Sequence, residues 1–235
     1  TLPSALNDDR VGRSLDALFD ADRASLMTRI VLKVVDEFDI DLQQCHNDST
    51  TVTVHGQYAR GRSKRQGKTS VALTHGHNKD HRPDLKQLLF TLTVSRDGAV
   101  PIHYKSYDGN TTDDTTHIQS WEALRRLTGR SDFIYVADAK LCTREQMTYL
   151  AKEGGKFITV MPQTRKECAW FYDWYHNHGI QWTGLLKRPD PRKPGTRVQK
   201  YWGYESPLPS EEGYRIIWIL SSQKREQDAN NRQRR

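Results

Sequence analysis

At 235 residues, with 35% hydrophobic and 28% charged side chains, the chain is long enough for one large domain or two small ones and has the polarity of a globular protein. Its formal net charge of +7 favours a polyanionic partner, because each neutralised phosphate releases condensed counterion, with a basic surface of no special purpose as the even alternative. No apolar run approaches the roughly 20 residues that span a bilayer, and three cysteines without a CxxC pair argue against a disulfide framework.

Residues 14 to 38 place Leu15, Leu18, Phe19, Leu26, Ile30, Val31, Val34, Val35 and Phe38 at helical spacing, with Asp22 or Ser25 as a cap. Gln44 to His55 alternates and is rich in Thr and Val, which predicts a strand. Gln57 to Thr69 holds Arg60, Arg62, Lys64, Arg65 and Lys68 among glycines and predicts a basic loop that clamps a phosphate backbone, or else a merely solvated one. Leu85 to Ser95 and Ala99 to Tyr107 read as a hairpin turning at Arg96-Asp97-Gly98. A helix follows over Thr112 to Leu127, with Asp113 and Asp114 in its first turn. Phe133 to Ala137 is a fourth strand, Thr143 to Ala151 a helix and Lys156 to Met161 a fifth strand. Beyond Pro162 comes an aromatic, partly helical stretch, Glu167 to Gly179. Three strands follow, over Ile180 to Leu186, Arg197 to Tyr204 and Tyr214 to Ser221.

The order of three strands, helix, strand, helix, strand predicts an α/β fold with an RNase H-like mixed five-stranded sheet, flanking helices and a following β-rich insertion region. In such a sheet the first and fourth strands are neighbours. Asp48, in the first strand, and Asp138, closing the fourth, would then meet at one end. Two such carboxylates suit Mg²⁺ (or Mn²⁺), and two ions about 3.5–4 Å apart stabilise the entering and leaving oxygens of phosphodiester chemistry. The plain alternative for Asp138 is the N-cap of the helix near Thr143, although the offset is poor.

Other candidates are weaker. His75, His77 and His81 with Asp80 and Asp84 make a loose zinc pattern without cysteine. In the same block Lys79 and Arg82 are expected to contact DNA phosphates, with Asp80 orienting them; the bland version is an Asp80–Arg82 pair. Trp170, Trp174 and Trp182 either stack on flipped bases or, more often at this spacing, pack in a core. Lys187, Arg188, Arg192, Lys193, Arg197 and Lys200 form a further candidate face for the DNA backbone.

Four blocks carry a family resemblance: His46-Asn47-Asp48-Ser49-Thr50-Thr51 with Gly56, the twelve residues Gly76 to Gln87, Gly109-Asn110-Thr111-Thr112-Asp113, and Val136-Ala137-Asp138. With these the chain resembles insertion-sequence transposases of the DDE type, in the subgroup with a β-rich insertion between the second and third acids. The resemblance implies that Asp48 and Asp138 are the first and second catalytic acids and metal ligands. It also implies double-stranded DNA as partner, both terminal inverted repeats and target, and a homodimer in the DNA complex. The family's third acid is a Glu in a Tyr-x-x-Arg-x-x-x-Glu motif, which is not found here. Glu211 and Glu212 lie in a turn, and Glu226 has no Tyr suitably before it, so the third acid is expected beyond Arg235.

The expected organisation is a helical lead-in (1–40), a catalytic core (41–162), the β-rich insertion (163–224) and a truncated basic tail (225–235). The expected function is DNA transposition by metal-dependent cleavage at transposon ends and strand transfer, in a reducing, nucleoid-associated cytoplasmic setting with no membrane. An RNase H-like nuclease or resolvase, and a DNA-binding fragment without activity, are the alternatives.

Overall fold

The computed structural model describes residues 7–58, 61–65, 67–190, 195 and 197–233. They form two compact units that divide between Met161 and Pro162.

The first unit opens with α1 (Asp8–Asp20) and α2 (Arg23–Glu37). Asn7 caps α1 by accepting the amide of Arg10, and Asp22 caps α2 by accepting that of Ser25, so of the two expected caps Asp22 is the acceptor. Then come β1 (Gln44–Val54), the short β2 (Lys64–Arg65) and β3 (Lys68–Thr69), β4 (Lys86–Ser95) and β5 (Pro101–Asp108). A 3₁₀ turn at Asp113–Thr115 leads into α3 (His117–Thr128), followed by β6 (Ile134–Ala137) and a second 3₁₀ turn at Ala139–Leu141. α4 (Arg144–Lys152) and β7 (Lys156–Thr159) complete the unit.

The five long strands form one sheet in the order β5-β4-β1-β6-β7. β5, β4 and β1 pair antiparallel, and β6 and β7 add in parallel. This is the α/β, RNase H-like mixed sheet with flanking helices that the element order predicts. One apolar cluster joins Trp121 and Leu124 of α3 to Phe133, Tyr135, Cys45, Ile102, Leu141 and Leu150. Each of the larger side chains contributes about 1.5–3 kcal/mol by leaving water. Val31 of α2 belongs to the same cluster, so the second of the helices expected as a lead-in helps to build this core.

Two local expectations change. The segment expected as a basic loop contains the antiparallel pair β2/β3, with Lys64 opposite Thr69 and Arg65 opposite Lys68. The helix expected from Thr112 starts at His117, because Asp113–Thr115 takes the tighter 3₁₀ turn.

The second unit holds α5 (Lys166–His178) and an antiparallel sheet ordered β10 (Ile217–Ser221), β9 (Val198–Glu205), β8 (Thr183–Pro189). Phe171 of α5 stacks on Trp218 at 3.9 Å between centroids, with Trp182 edge-on to Phe171 at 6.5 Å. Trp182 is thus a packing residue, and Trp170 stacks on Trp174 at 5.5 Å. The residues expected as a basic tail form most of α6 (Ser222–Gln233), tied through Glu226 to Arg197, just before β9, and to β9 itself through Gln199 Nε2 to Gln223 at 2.9 Å.

Candidate metal centre and nucleic-acid interface

β1 and β6 run parallel with Gln44 opposite Ile134, Cys45 opposite Tyr135 and His46 opposite Val136. Asp48 lies two residues beyond the last of these pairs on β1, and Asp138 directly follows β6, so both acids lie towards the same end of the strand pair. Because side chains alternate along a strand, Asp48 falls on the face opposite the buried Cys45 and Asn47, whereas Asp138 follows β6, opens the next turn and brings Oδ1 to 3.8 Å from Nε2 of His117. Both carboxylates are exposed.

Each is held by one oxygen. Oδ1 of Asp48 accepts the amide of Ser49 at 2.8 Å, and Oδ1 of Asp138 accepts that of Lys140 at 3.0 Å. The backbone carbonyl of Asp138 accepts the Thr159 hydroxyl at 2.6 Å, which ties the end of β6 to β7. Asp138 therefore caps a helical turn, but it is the 3₁₀ turn at Ala139–Leu141. The cap of α4 is Thr143, whose hydroxyl accepts the amide of Gln146.

The Gly76–Gln87 block lies alongside β1. Asn78 Nδ2 donates to Thr53 Oγ1 at 3.2 Å, and the Lys79 amide donates to Thr51 Oγ1 at 3.3 Å. The Lys79 ammonium then reaches the carbonyl and hydroxyl of Ser49, the residue after Asp48, and lies 3.3 Å from Asp113 Oδ2. Asp80 does not orient Lys79 or Arg82; its carboxylate accepts from Thr53 Oγ1 at 3.1 Å. Arg82 pairs bidentately with Asp84 at 2.7–2.9 Å, in place of the expected Asp80 partner.

The basic segment before it is also internally engaged. Arg62 pairs with Asp108, and Arg65 with Asp20 at 2.7 Å and Asp16 at 3.0 Å. Lys68 caps the end of α1 through the carbonyls of Phe19, Asp20 and Ala21. Lys64 is exposed and has no acidic partner among the described residues. Arg60 lies outside the described residues, as do Arg192 and Lys193.

His117 was not singled out in the sequence. It opens α3, is buried, and brings Nε2 to 3.8 Å from Asp138 Oδ1. Burial holds its pKa below the ordinary histidine value, against the opposing pull of Asp138, Asp113, Asp114 and Asp48. The signal that finds it is topological. A helix following a strand of such a sheet starts at the carboxyl edge, where sites in open α/β sheets lie.

The donor set fits a hard divalent cation. Asp48 and Asp138 offer exposed carboxylate oxygens, with room for the waters that Mg²⁺ retains. Among the described residues no three His, Cys, Asp or Glu side chains gather closely enough to hold a metal, so the two aspartates account for only part of a coordination shell. The histidines of the zinc alternative form no such group either.

No family model and no curated protein matches the chain. Four solved chains match, among them the following three. A Mos1 transposase paired-end complex with left transposon end shares 12% identity at a TM-score of 0.32, over 73% of this chain and 56% of that one. A piggyBac transposase synaptic complex with hairpin DNA shares 12% at 0.35, over 86% and 40%. The Mos1 mariner paired-end complex with Mn shares 12% at 0.31, over 73% and 56%. The chain thus spans 40–56% of the length of the structures it matches. Among the described residues no helix is long and apolar enough to cross a membrane.

Proposed function

We propose that this chain carries the first two acids of a DNA transposase, acting in metal-dependent cleavage at transposon ends and in strand transfer to target DNA. The observation that supports the reading is the parallel pairing of β1 and β6, whose register, continued two residues, would bring the exposed Asp48 and Asp138 to the same end of the sheet. Together with the four sequence blocks, that placement favours phosphodiester chemistry over a purely structural sheet. Asp48 and Asp138 would hold Mg²⁺ or Mn²⁺, two ions in the complete site, which when bound neutralise charge on the phosphoryl oxygens. Lys79, held over Ser49 and Asp113, is positioned to meet a DNA phosphate beside the acids. Lys64, Arg62, Arg65 and Arg82 supply exposed positive charge for the backbone, as Arg60 does in this reading from the sequence alone. Terminal repeats and target DNA are the proposed partners, with a homodimer joining two ends.

The test is a calorimetric titration of Mn²⁺ into the full 235-residue chain and its Asp48→Asn and Asp138→Asn variants. Binding by the unsubstituted chain that falls at least about tenfold in each variant is the expected result, because each removes a charged ligand. Equal affinity in all three proteins would overturn the assignment.

A further inference from the structure

His117 has a geometry that its packing alone does not require. Its side chain is only 4% exposed, and Nδ1 lies 3.2 Å from the hydroxyl of Tyr135. Nε2 has no hydrogen-bond partner among the described residues, yet it faces Asp138 Oδ1 at 3.8 Å. A buried polar atom without a partner is costly, so its direction calls for a reason.

A neutral imidazole carries one N–H, and the two tautomers differ sharply here. With the proton on Nδ1, the Nε2 lone pair would face a carboxylate. With the proton on Nε2, the Tyr135 hydroxyl donates to Nδ1 and an N–H dipole points at the carboxylate. Asp113, Asp114 and Asp48 add negative potential from the same quarter, which favours the second arrangement.

We propose that His117 is a positioning residue for Asp138, directing Nε2–H to Oδ1. The Lys140 amide already donates to that oxygen at 3.0 Å. With Nε2–H closed onto it, both donors would engage Oδ1 and leave Oδ2, which has no protein hydrogen bond among the described residues, as the atom presented outward. The present 3.8 Å separation is longer than a hydrogen bond. Asp138 is about half exposed, at 51%, and has room to close it by side-chain rotation. Outer donors of this kind orient ligands in metal sites, and removing one typically costs about 10–100-fold in metal affinity. This role rests on the metal reading above only for its consequence; the contact itself is tested without metal.

The experiment uses the full chain labelled with ¹⁵N-histidine, free of metal. His117 is expected in the Nε2–H form, with its Nε2 resonance moved by Asp138→Asn and its Nδ1 resonance moved by Tyr135→Phe. The Nδ1–H form, or an Nε2 resonance indifferent to Asp138→Asn, would overturn the proposal. Mn²⁺ titration of His117→Gln and His117→Asn then reads the consequence. The glutamine amide nitrogen can replace Nε2, whereas the asparagine nitrogen can replace only Nδ1. The asparagine variant should lose about tenfold or more in affinity and the glutamine variant no more than about threefold. Equal losses in both would reduce His117 to a packing residue. Absence of Mn²⁺ binding by the unsubstituted chain would count against the metal reading, and the tautomer result would still decide the His117 contact.

Discussion

Gly109→Ala should be among the most damaging single-methyl additions to the first unit. The amide of Gly109 donates to the Ala72 carbonyl at 3.0 Å, and its own carbonyl accepts Gln87 Nε2 at 2.8 Å. A Cβ there would stand 2.0 Å from the carbonyl oxygen of Gln87 and 2.6 Å from that of Thr74. Both obstacles are backbone, so no rotamer change relieves them, and the Ala72–Gly76 segment must part from β4 and β5. Overpacking of this kind costs about 1–3 kcal/mol, and the buried Gln87 amide left without its acceptor adds about 1–3 kcal/mol, for a total near 4 kcal/mol. Trp121 is the one tryptophan between residues 1 and 161. Urea unfolding followed by ¹⁹F NMR of the 5-fluorotryptophan-labelled chain therefore reports on the first unit through a single resonance. Gly76→Ala presses on the same contact from the other side, 2.1 Å from the Gly109 carbonyl oxygen, so the double variant should cost less than the sum. Gly12→Ala is the control: it lies inside α1 with nothing within 4 Å and should gain up to about 1 kcal/mol. A loss below about 1 kcal/mol for Gly109→Ala would refute the close-approach argument.

Lys64→Ala should lower the slope of log DNA affinity against log salt by about one, because its charge has no acidic partner among the described residues. Arg65→Ala should lower it less, since Asp16 and Asp20 already offset that charge; equal slopes for the two variants and the unsubstituted chain would remove β2/β3 from the interface. In the second unit, Arg165 bridges Glu212 at 2.6 Å and Glu167 at 2.9 Å, and its guanidinium holds the Glu167 carboxyl down at about 2 and Glu212 below its usual range. Depressed carboxylate pKa values mean stability that is present above the unfolded value near 4.5 and is lost as pH falls towards 2. Arg165→Met should destabilise this unit by about 2 kcal/mol at pH 7 and remove that part of its acid sensitivity, as read by thermal unfolding between pH 7 and 2.5. An unchanged pH dependence would show that the cluster is not the acid-sensitive element.

The five long strands were legible because β1, β4 and β5 alternate and β6 is a short apolar run before a helix, so periodicity and order alone bring out the sheet. The helix α6 was not. Ser222–Gln233 has no apolar stripe, and what holds it is a set of pairings across space, Arg197 with Glu226 and Gln199 with Gln223, which leave no trace in local pattern. The basic segment from Arg62 to Lys68 shows a related limit. Composition reveals its charge but not that α1 supplies Asp16, Asp20 and three helix-end carbonyls to meet it. Strand context marked Asp48 and Asp138 as candidates, whereas His117 comes near Asp138, and Asp113 near Lys79, through tertiary contacts that no spacing encodes. The Gly76–Gln87 block was legible as a motif, but its physical content was not. Half of it is a backbone clamp through Gly76, Gln87 and Gly109, and half carries Lys79 to Ser49.

The adjacency proposed for the two aspartates would depend on the core as much as on the acids themselves. The offset of 90 between β1 and β6 holds for all three paired positions, 44 with 134, 45 with 135 and 46 with 136, and would set 48 level with 138 if continued past the end of β6. A slip of one residue would turn Tyr135 and Ala137 out of the core and reverse the face of Asp138. A slip of two would preserve the faces but move the carboxylates apart by about 7 Å along the strand, too far to share an ion. What forbids the second slip is packing. Phe133 lies 6.1 Å from Trp121, centroid to centroid, and Tyr135 lies 6.1 Å from His117 and bonds to it, so moving β6 along its axis breaks both contacts. His117 thus touches the register of β6 through Tyr135 and the carboxylate it presents through Asp138. A change at His117 should accordingly be felt at the Asp138 carboxylate before it is felt in the strand order, which is set by the whole of the apolar cluster.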